Sequence, residues 1–219
     1  MRREFHVRFC EGGRVRFPSA TRPIVGFEHG HEAEQFLANL KARLARFGLT
    51  LHPDKTRLIE FGRQAIASRR ARGLGKPESF DFLGFTHFCA TRRDGSGYVL
   101  GRKPVRKRMR AKLREIKGRL QAMRHDGIER QGRWLAQVLR GWLAYYAVPM
   151  SAAAITAFRH HMIERWFRVL QRRSQRTRRS LSWGRMKQIA ERYLPYPRIL
   201  HPWPEQRFLV TIQGKSPVR

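Results

Sequence analysis

The sequence predicts an α+β protein, a small strand-rich N-terminal part followed by an all-α basic helical part. Three observations carry this. IVGF (24–27) is a short strand candidate, SFDFLGFTHF (79–88) alternates with period two, and Asp94-Gly95 is a hairpin turn between Phe88 and Tyr98. After Pro104 the apolar residues step by three and four instead. Finally, Lys+Arg number 47 against 16 Asp+Glu, a net charge of +31, and cations line the predicted helices.

Residues 1–23, MRREFHVRFCEGGRVRFPSATRP, alternate briefly before Pro18 and Pro23 interrupt the pattern. No element is assigned to this atypical segment, and disorder is an open reading of it. IVGF is a short strand. From His31, residues Phe36, Leu37, Leu40, Leu44 and Phe47 fall at helical spacing, with Gly48 as the stop. LTLHPDKTRLIEFG (49–62) reads as a strand pair, with Leu49 and Leu51 before a polar corner and Leu58 and Phe61 after it. That corner, His52 to Thr56, is either a wet turn or a means of presenting Lys55 to an anion. Residues 63–79 are polar and glycine-dotted, a surface loop. SFDFLGFTHF reads as one strand with a bulge, and Asp94-Gly95 as a hairpin turn between Phe88 and Tyr98. Residues 24–103 thus make one small α+β unit.

Past Pro104, Met109, Leu113, Ile116, Leu120 and Met123 mark one face of a helix over about 105–124. Leu135, Val138, Leu139, Trp142, Tyr145 and Tyr146 mark a second, ending near Pro149. Ser151 is the expected cap of a third, holding Ile155, Phe158, Met162, Trp166 and Leu170. RRSQRTRR (172–179) reads as a loop. Ser182 opens a last helix with Trp183, Met186, Ile189 and Tyr193, and YPRILHPWPEQRF (196–208) closes the fold as extended chain.

A chain this basic repels itself unless a polyanion neutralises it, and nucleic acid does so through phosphate contacts. No run of about 20 apolar residues is present, so no membrane partner is expected. Cys10 and Cys89 form no CxxC pair, and a reducing compartment, the cytoplasm, is the default. His29 and His31 could lie on one side of a strand, and His160–His161 are adjacent. Neither pair has further ligands at metal spacing, so no metal site is assigned. There is no GxxxxGK[ST] loop and no GxSxG elbow. No aspartate precedes Asp54, and no catalytic residue is assigned. The helix over 105–124 exposes Arg106, Lys107, Arg110, Arg114 and Lys117 with little acid to pair them. Arg140 and the run holding Arg176, Arg178 and Arg179 join them as phosphate-binding candidates. Trp142, Tyr145 and Tyr146 could stack on bases, but their spacing favours the core.

Four motifs, LTLHPDKTRLIEFG, SFDFLGFTH, LRGWLAYY and LPYPRILHPWPEQRF, recur in the order found in bacterial group II intron reverse transcriptase–maturases. Over about residues 24–212 the chain resembles the C-terminal half of that family. The resemblance implies a palm remnant at 24–103 and a thumb and maturase-specific domain at 104–212. It implies that HPDKT is the palm hairpin, with Lys55 toward nucleotide and primer phosphates and Thr56 setting the corner. Phe82, Leu83 and Gly84 would form the primer grip, where a glycine lets backbone approach nucleic acid. The family's tyrosine-alanine-aspartate-aspartate hairpin has no counterpart here; that place reads VRFPSATRP. The fingers and early palm are also missing, which reads as a truncation or frame change. The intact family enzyme uses Mg²⁺; this chain is expected to hold no cofactor of its own.

The expected function is therefore that of a truncated maturase that binds intron RNA and assists splicing without polymerase chemistry. A primer–template duplex is a further partner that the resemblance implies. Two alternatives stand beside it. A separate chain carrying fingers and aspartates could restore RNA-directed DNA polymerase activity, or the chain is an inert remnant. No CxxC pairs follow the maturase region, so a zinc-bearing endonuclease domain is not expected.

Overall fold

The computed structural model describes residues 24–92, 95 and 97–203 in full, and residues 5–8 as backbone. The chain divides into two compact units, Met1–Gly101 and Arg102–Arg219. The fold is α+β, with strands concentrated in the first unit and, among the described residues, only helices as regular elements of the second beyond Pro104.

The first unit opens with β1 (Phe5–Arg8), β2 (Ile24–Phe27), α1 (Gly30–Ala45) and β3 (Arg57–Glu60). β1 is the middle strand and runs antiparallel to both neighbours: Val7 pairs with Val25 on one side and Leu58 on the other. A strand therefore lies inside the segment where the alternation supports no element. The rest of 1–23, Cys10 included, lies outside the described residues. α1 covers this sheet. Fully buried Ala33 packs with Val25, Phe27, Leu37, Leu40, Leu51 and Leu58. Removing such apolar surface from water is worth roughly 25 cal/mol per Å². Gly48 ends the helix in a left-handed conformation, φ 68°. Its N–H donates to Ala45 O at 3.0 Å, and Leu49 N–H reaches Leu44 O at 3.0 Å, so two orphan carbonyls are satisfied. Phe36 and Phe47, placed on the helix's apolar face by spacing, are 36% and 70% exposed. His29 and His31 flank the start of α1 rather than a strand, with their rings stacked at 5.5 Å.

Two sequence expectations fail here. LTLHPDKTRLIEFG is not a strand pair. Residues 49–52 form no strand, Pro53–Lys55 is a single 3₁₀ turn, and only β3 follows. The turn closes because Lys55 N–H and Thr56 N–H both donate to His52 O, at 3.1 and 3.0 Å. β3 then pairs with β1, a partner distant in sequence. Within the supposed loop 63–79, Ala65–Ala71 forms α2, with Ala65 buried and Gly73 ending it at φ 67°.

The second sheet is β4 (Phe80–Phe82), β5 (Phe85–Thr91) and β6 (Tyr98–Pro104), in that order. FDFLGF is not one bulged strand but a tight hairpin. Phe82 pairs with Phe85, and Leu83 and Gly84 form a two-residue loop with φ 45° and 81°. Positive φ at both central residues suits the right-handed strand twist. Cross-strand pairs brace it: Phe80 stacks on His87 at 5.0 Å, and the Thr86 hydroxyl donates to Asp81 at 2.6 Å. At the next turn Arg92 N–H donates to Gly97 O at 2.8 Å. Asp94 itself lies outside the described residues.

The second unit is built on α3 (Arg106–Ala122), α4 (Ile128–Tyr146), α5 (Ala152–Gln171), α6 (Gln175–Ser180) and α7 (Trp183–Tyr193). α5 is its axis, packing against α3, α4, α6 and α7. Ile155, Phe158, Met162 and Trp166 are fully buried, as are Ile116, Leu120, Leu135 and Leu139 from its neighbours. α4 and α7 meet at Gly132, where the Tyr193 ring lies 2.5 Å from the position a Cβ would occupy, so only glycine fits. Ser151 precedes α5 but does not cap it through its side chain. Fully buried, its hydroxyl lies 2.6 Å from Tyr146 O and 2.7 Å from Val148 O, closing the α4–α5 turn instead. Ser182 does cap α7, accepting from Arg185 N–H at 3.2 Å. After α7 the chain to Trp203 is neither helix nor strand. It is tied to the end of α4 by Leu200 N–H to Ala147 O at 2.9 Å and by His201 Nε2 against Ala144 O at 2.6 Å.

Candidate nucleic-acid interface

α3 starts where Pro104 and extended Val105 release the chain, and its composition is nearly all cation and aliphatic. Leu113, Ile116 and Leu120 are buried. At 100° per residue, Arg106, Lys107, Arg110, Arg114 and Lys117 fall within an arc of about 100° beside that stripe, and all five are exposed. The helix has one acid, Glu115, which pairs with Lys112 at 2.7 Å, outside the arc. The arc is therefore an acid-free surface. Five like charges so placed repel one another until a polyanion approaches.

α4 differs. At its start Arg130 pairs with Asp126 at 3.5 Å and Arg133 with Glu129. Arg140, farther along, is exposed. The arginine run read as a loop is a short helix, α6. Ser174 caps it, its hydroxyl accepting from Thr177 N–H at 3.1 Å. Arg176, Arg178 and Arg179 are exposed on it, and α6 holds no acid. α3 and α6 both pack on α5, so the two cation sets share one scaffold.

Not every arginine here is free for a ligand. Arg173 donates to the Asp126 carbonyl, and burial pushes its pKa down. Arg165 donates to His161 O at 2.8 Å, with its pKa also lowered by burial. Both are structural ties that composition does not distinguish from the exposed set. Of the three aromatics expected in the core, Trp142 and Tyr146 are buried, with Trp142 stacked on Phe158 at 4.1 Å. Tyr145 departs from that expectation: it is 48% exposed near the end of α4.

In the first unit the residues implied by resemblance are spread over two sheets. Lys55 is exposed in the 3₁₀ turn leading to β3, and Thr56 beside it is half-buried. Phe82, Leu83 and Gly84 form the apex of the β4–β5 hairpin, with Leu83 66% exposed and Gly84 buried. Asp54 sits exposed in the turn, and Asp81 accepts from Thr86. Among the described residues no three His, Cys, Asp or Glu side chains converge as metal ligands. Nor, among them, is any helix long and apolar enough to cross a membrane.

Residues 106–189, the span from α3 into α7, match the family described as group II intron, maturase-specific domain. That segment is similar to the group II intron maturase-specific domain. The acid-free arc of α3, Arg140 and α6 all lie inside the matched maturase segment, as does LRGWLAYY. Lys55 and the FDFLGF hairpin lie outside it. No curated protein matches the chain.

Proposed function

We propose that this chain binds group II intron RNA through phosphate contacts and assists its splicing as a maturase. The observation that supports this best is the α3 arc, five exposed cations without an acid, inside the maturase domain. Such a surface recognises RNA by charge and shape rather than by base sequence. The protein's part in splicing is then to hold the folded RNA, while the RNA carries the chemistry. The test is a binding titration and a splicing time course with the intron that flanks this reading frame. Saturable binding and faster splicing support the reading; splicing unchanged at saturating protein removes the maturase role.

A second reading rests on the FDFLGF hairpin, which presents Leu83 at an exposed apex. With the aspartate pair supplied by another chain, this unit would serve RNA-directed DNA synthesis. Purified alone, the chain should not extend a primer on an RNA template with Mg²⁺ and nucleotides. Template-dependent extension would mean that carboxylates of this chain suffice.

A further inference from the structure

A concavity of about 860 Å³ lies in the first unit, between α2 and the turn end of the β5–β6 hairpin. Arg63, Ile66 and Arg70 line it from the α2 side, and Thr91, Arg92 and Tyr98 from the hairpin. Residues 63, 66, 67, 70 and 71 recur at helical spacing, so one face of α2 turns toward the cavity. Alanines at 67 and 71 keep that face shallow. Arg63, Arg70 and Arg92 are exposed, and none of the described lining residues is acidic.

The lining mixes two chemistries. Three guanidiniums favour an anion, and Arg binds phosphate through paired donors. Ile66 and the half-buried Tyr98 favour a flat apolar surface. A simple anion would leave the apolar wall unused, and an apolar solute would leave three cations unpaired. A nucleotide carries both a phosphate and an aromatic base. The volume is in the range of small-ligand sites, roughly 300–1,000 Å³. In duplex RNA the bases are stacked inside, whereas a single strand can turn one outward.

We propose that this concavity holds one nucleotide of single-stranded RNA, its phosphate on Arg63, Arg70 and Arg92 and its base against Ile66 and Tyr98. The site is separate from the maturase segment at 106–189, although it rests on the reading that RNA is the ligand.

The test is photocrosslinking of the full chain to a short oligouridine carrying 5-iodouridine, with crosslinked peptides mapped. Crosslinks at Tyr98 or elsewhere in 63–71 and 91–98 are expected, and excess uridine monophosphate should suppress them. The variant Arg63→Gln/Arg70→Gln/Arg92→Gln should lose at least fivefold in pocket crosslinks. Lys41→Gln/Arg46→Gln/Lys76→Gln removes equal charge from exposed positions of the same unit and should leave those crosslinks unchanged. Crosslinks confined to 106–203, equal loss in both variants, equal pocket crosslinking by duplex RNA, or no competition by the monophosphate would each overturn the proposal. If the oligouridine is bound and crosslinks only in the helical unit, the maturase reading survives and this one falls. If the chain takes up no RNA of any kind, both fall.

Discussion

The indole N–H of Trp166 donates to Oε1 of Gln131 at 2.7 Å, and both side chains are fully buried. The amide of Gln131 also donates to Met123 O at 2.5 Å. One glutamine thus satisfies the central tryptophan of α5 and a carbonyl at the end of α3. A buried polar group left without a partner costs about 1–3 kcal/mol. Gln131→Leu orphans the Trp166 N–H, while Met123 O keeps the Asp126 N–H at 3.0 Å, and it should destabilise by about 1–3 kcal/mol in urea unfolding. Trp166→Phe removes the donor from the other side. The double variant should lose less than the sum of the two singles. Strict additivity would mean that the hydrogen bond contributes nothing.

Leu83 holds φ 45° at the β4–β5 apex with two-thirds of its surface exposed. A left-handed conformation costs a non-glycine residue about 1–2 kcal/mol, and asparagine tolerates it better. Leu83→Asn should therefore raise stability by about 1 kcal/mol. A drop in the urea midpoint would show that Leu83 packing outweighs the backbone strain.

RNA affinity should fall steeply with salt. Each neutralised phosphate of single-stranded RNA contributes a slope of about −0.7 in log K against log salt, and of duplex DNA about −0.9. Six to ten contacts would give roughly −4 to −9. Replacing Arg176, Arg178 and Arg179 with alanine should make the slope shallower by up to about two units, for every RNA alike. An unchanged slope would remove α6 from the interface.

Trp142 and Tyr145 should part company. Trp142→Ala deletes a buried ring stacked on Phe158, and should cost about 3–5 kcal/mol. Tyr145→Ala should cost about 1 kcal/mol or less. If Tyr145→Ala weakens RNA binding while its unfolding curve matches the parent, the exposed ring is a contact.

Glu164 provides a pH test. Its carboxyl is held below the ordinary value of 4.5 chiefly by a hydrogen bond with His161, at 2.9 Å, which outweighs burial acting the other way. Nearby His160, His161 and Arg168 push in the same direction as the bond. A carboxylate with a depressed pKa stabilises the fold above its unfolded value. That contribution is lost as pH falls through the folded value. Glu164→Gln should therefore be less stable than the parent at neutral pH, and the two should converge in acid below 4.5. A gap that persists there would assign the effect to packing.

The four long helices beyond Pro104, α3, α4, α5 and α7, were legible because each buries one stripe, and a stripe repeats every three to four residues. The cations were legible as a set for the same reason: what does not face the core faces water. Their division was not. Arg173 and Arg165 resemble Arg176 in composition, and only the neighbouring carbonyls make them structural. The hairpin at Leu83 was hidden because leucine is not a turn residue. α2 and α6 were hidden because short polar helices carry no stripe.

By itself, the sequence determined the α+β order and the basic character, which follow from local pattern and charge, and the likeness of residues 106–189 to the maturase-specific domain. Tertiary structure alone decided what depends on partners far along the chain. β3 lies beside β1 because a strand needs a neighbour, and the turn at Pro53 supplies none. Gln131 is buried because Trp166, on another helix, needs an acceptor there. The α2 face becomes the wall of a cavity only once the β5–β6 hairpin stands opposite it. Periodicity records which side of an element is dry, and it cannot record what the element is packed against.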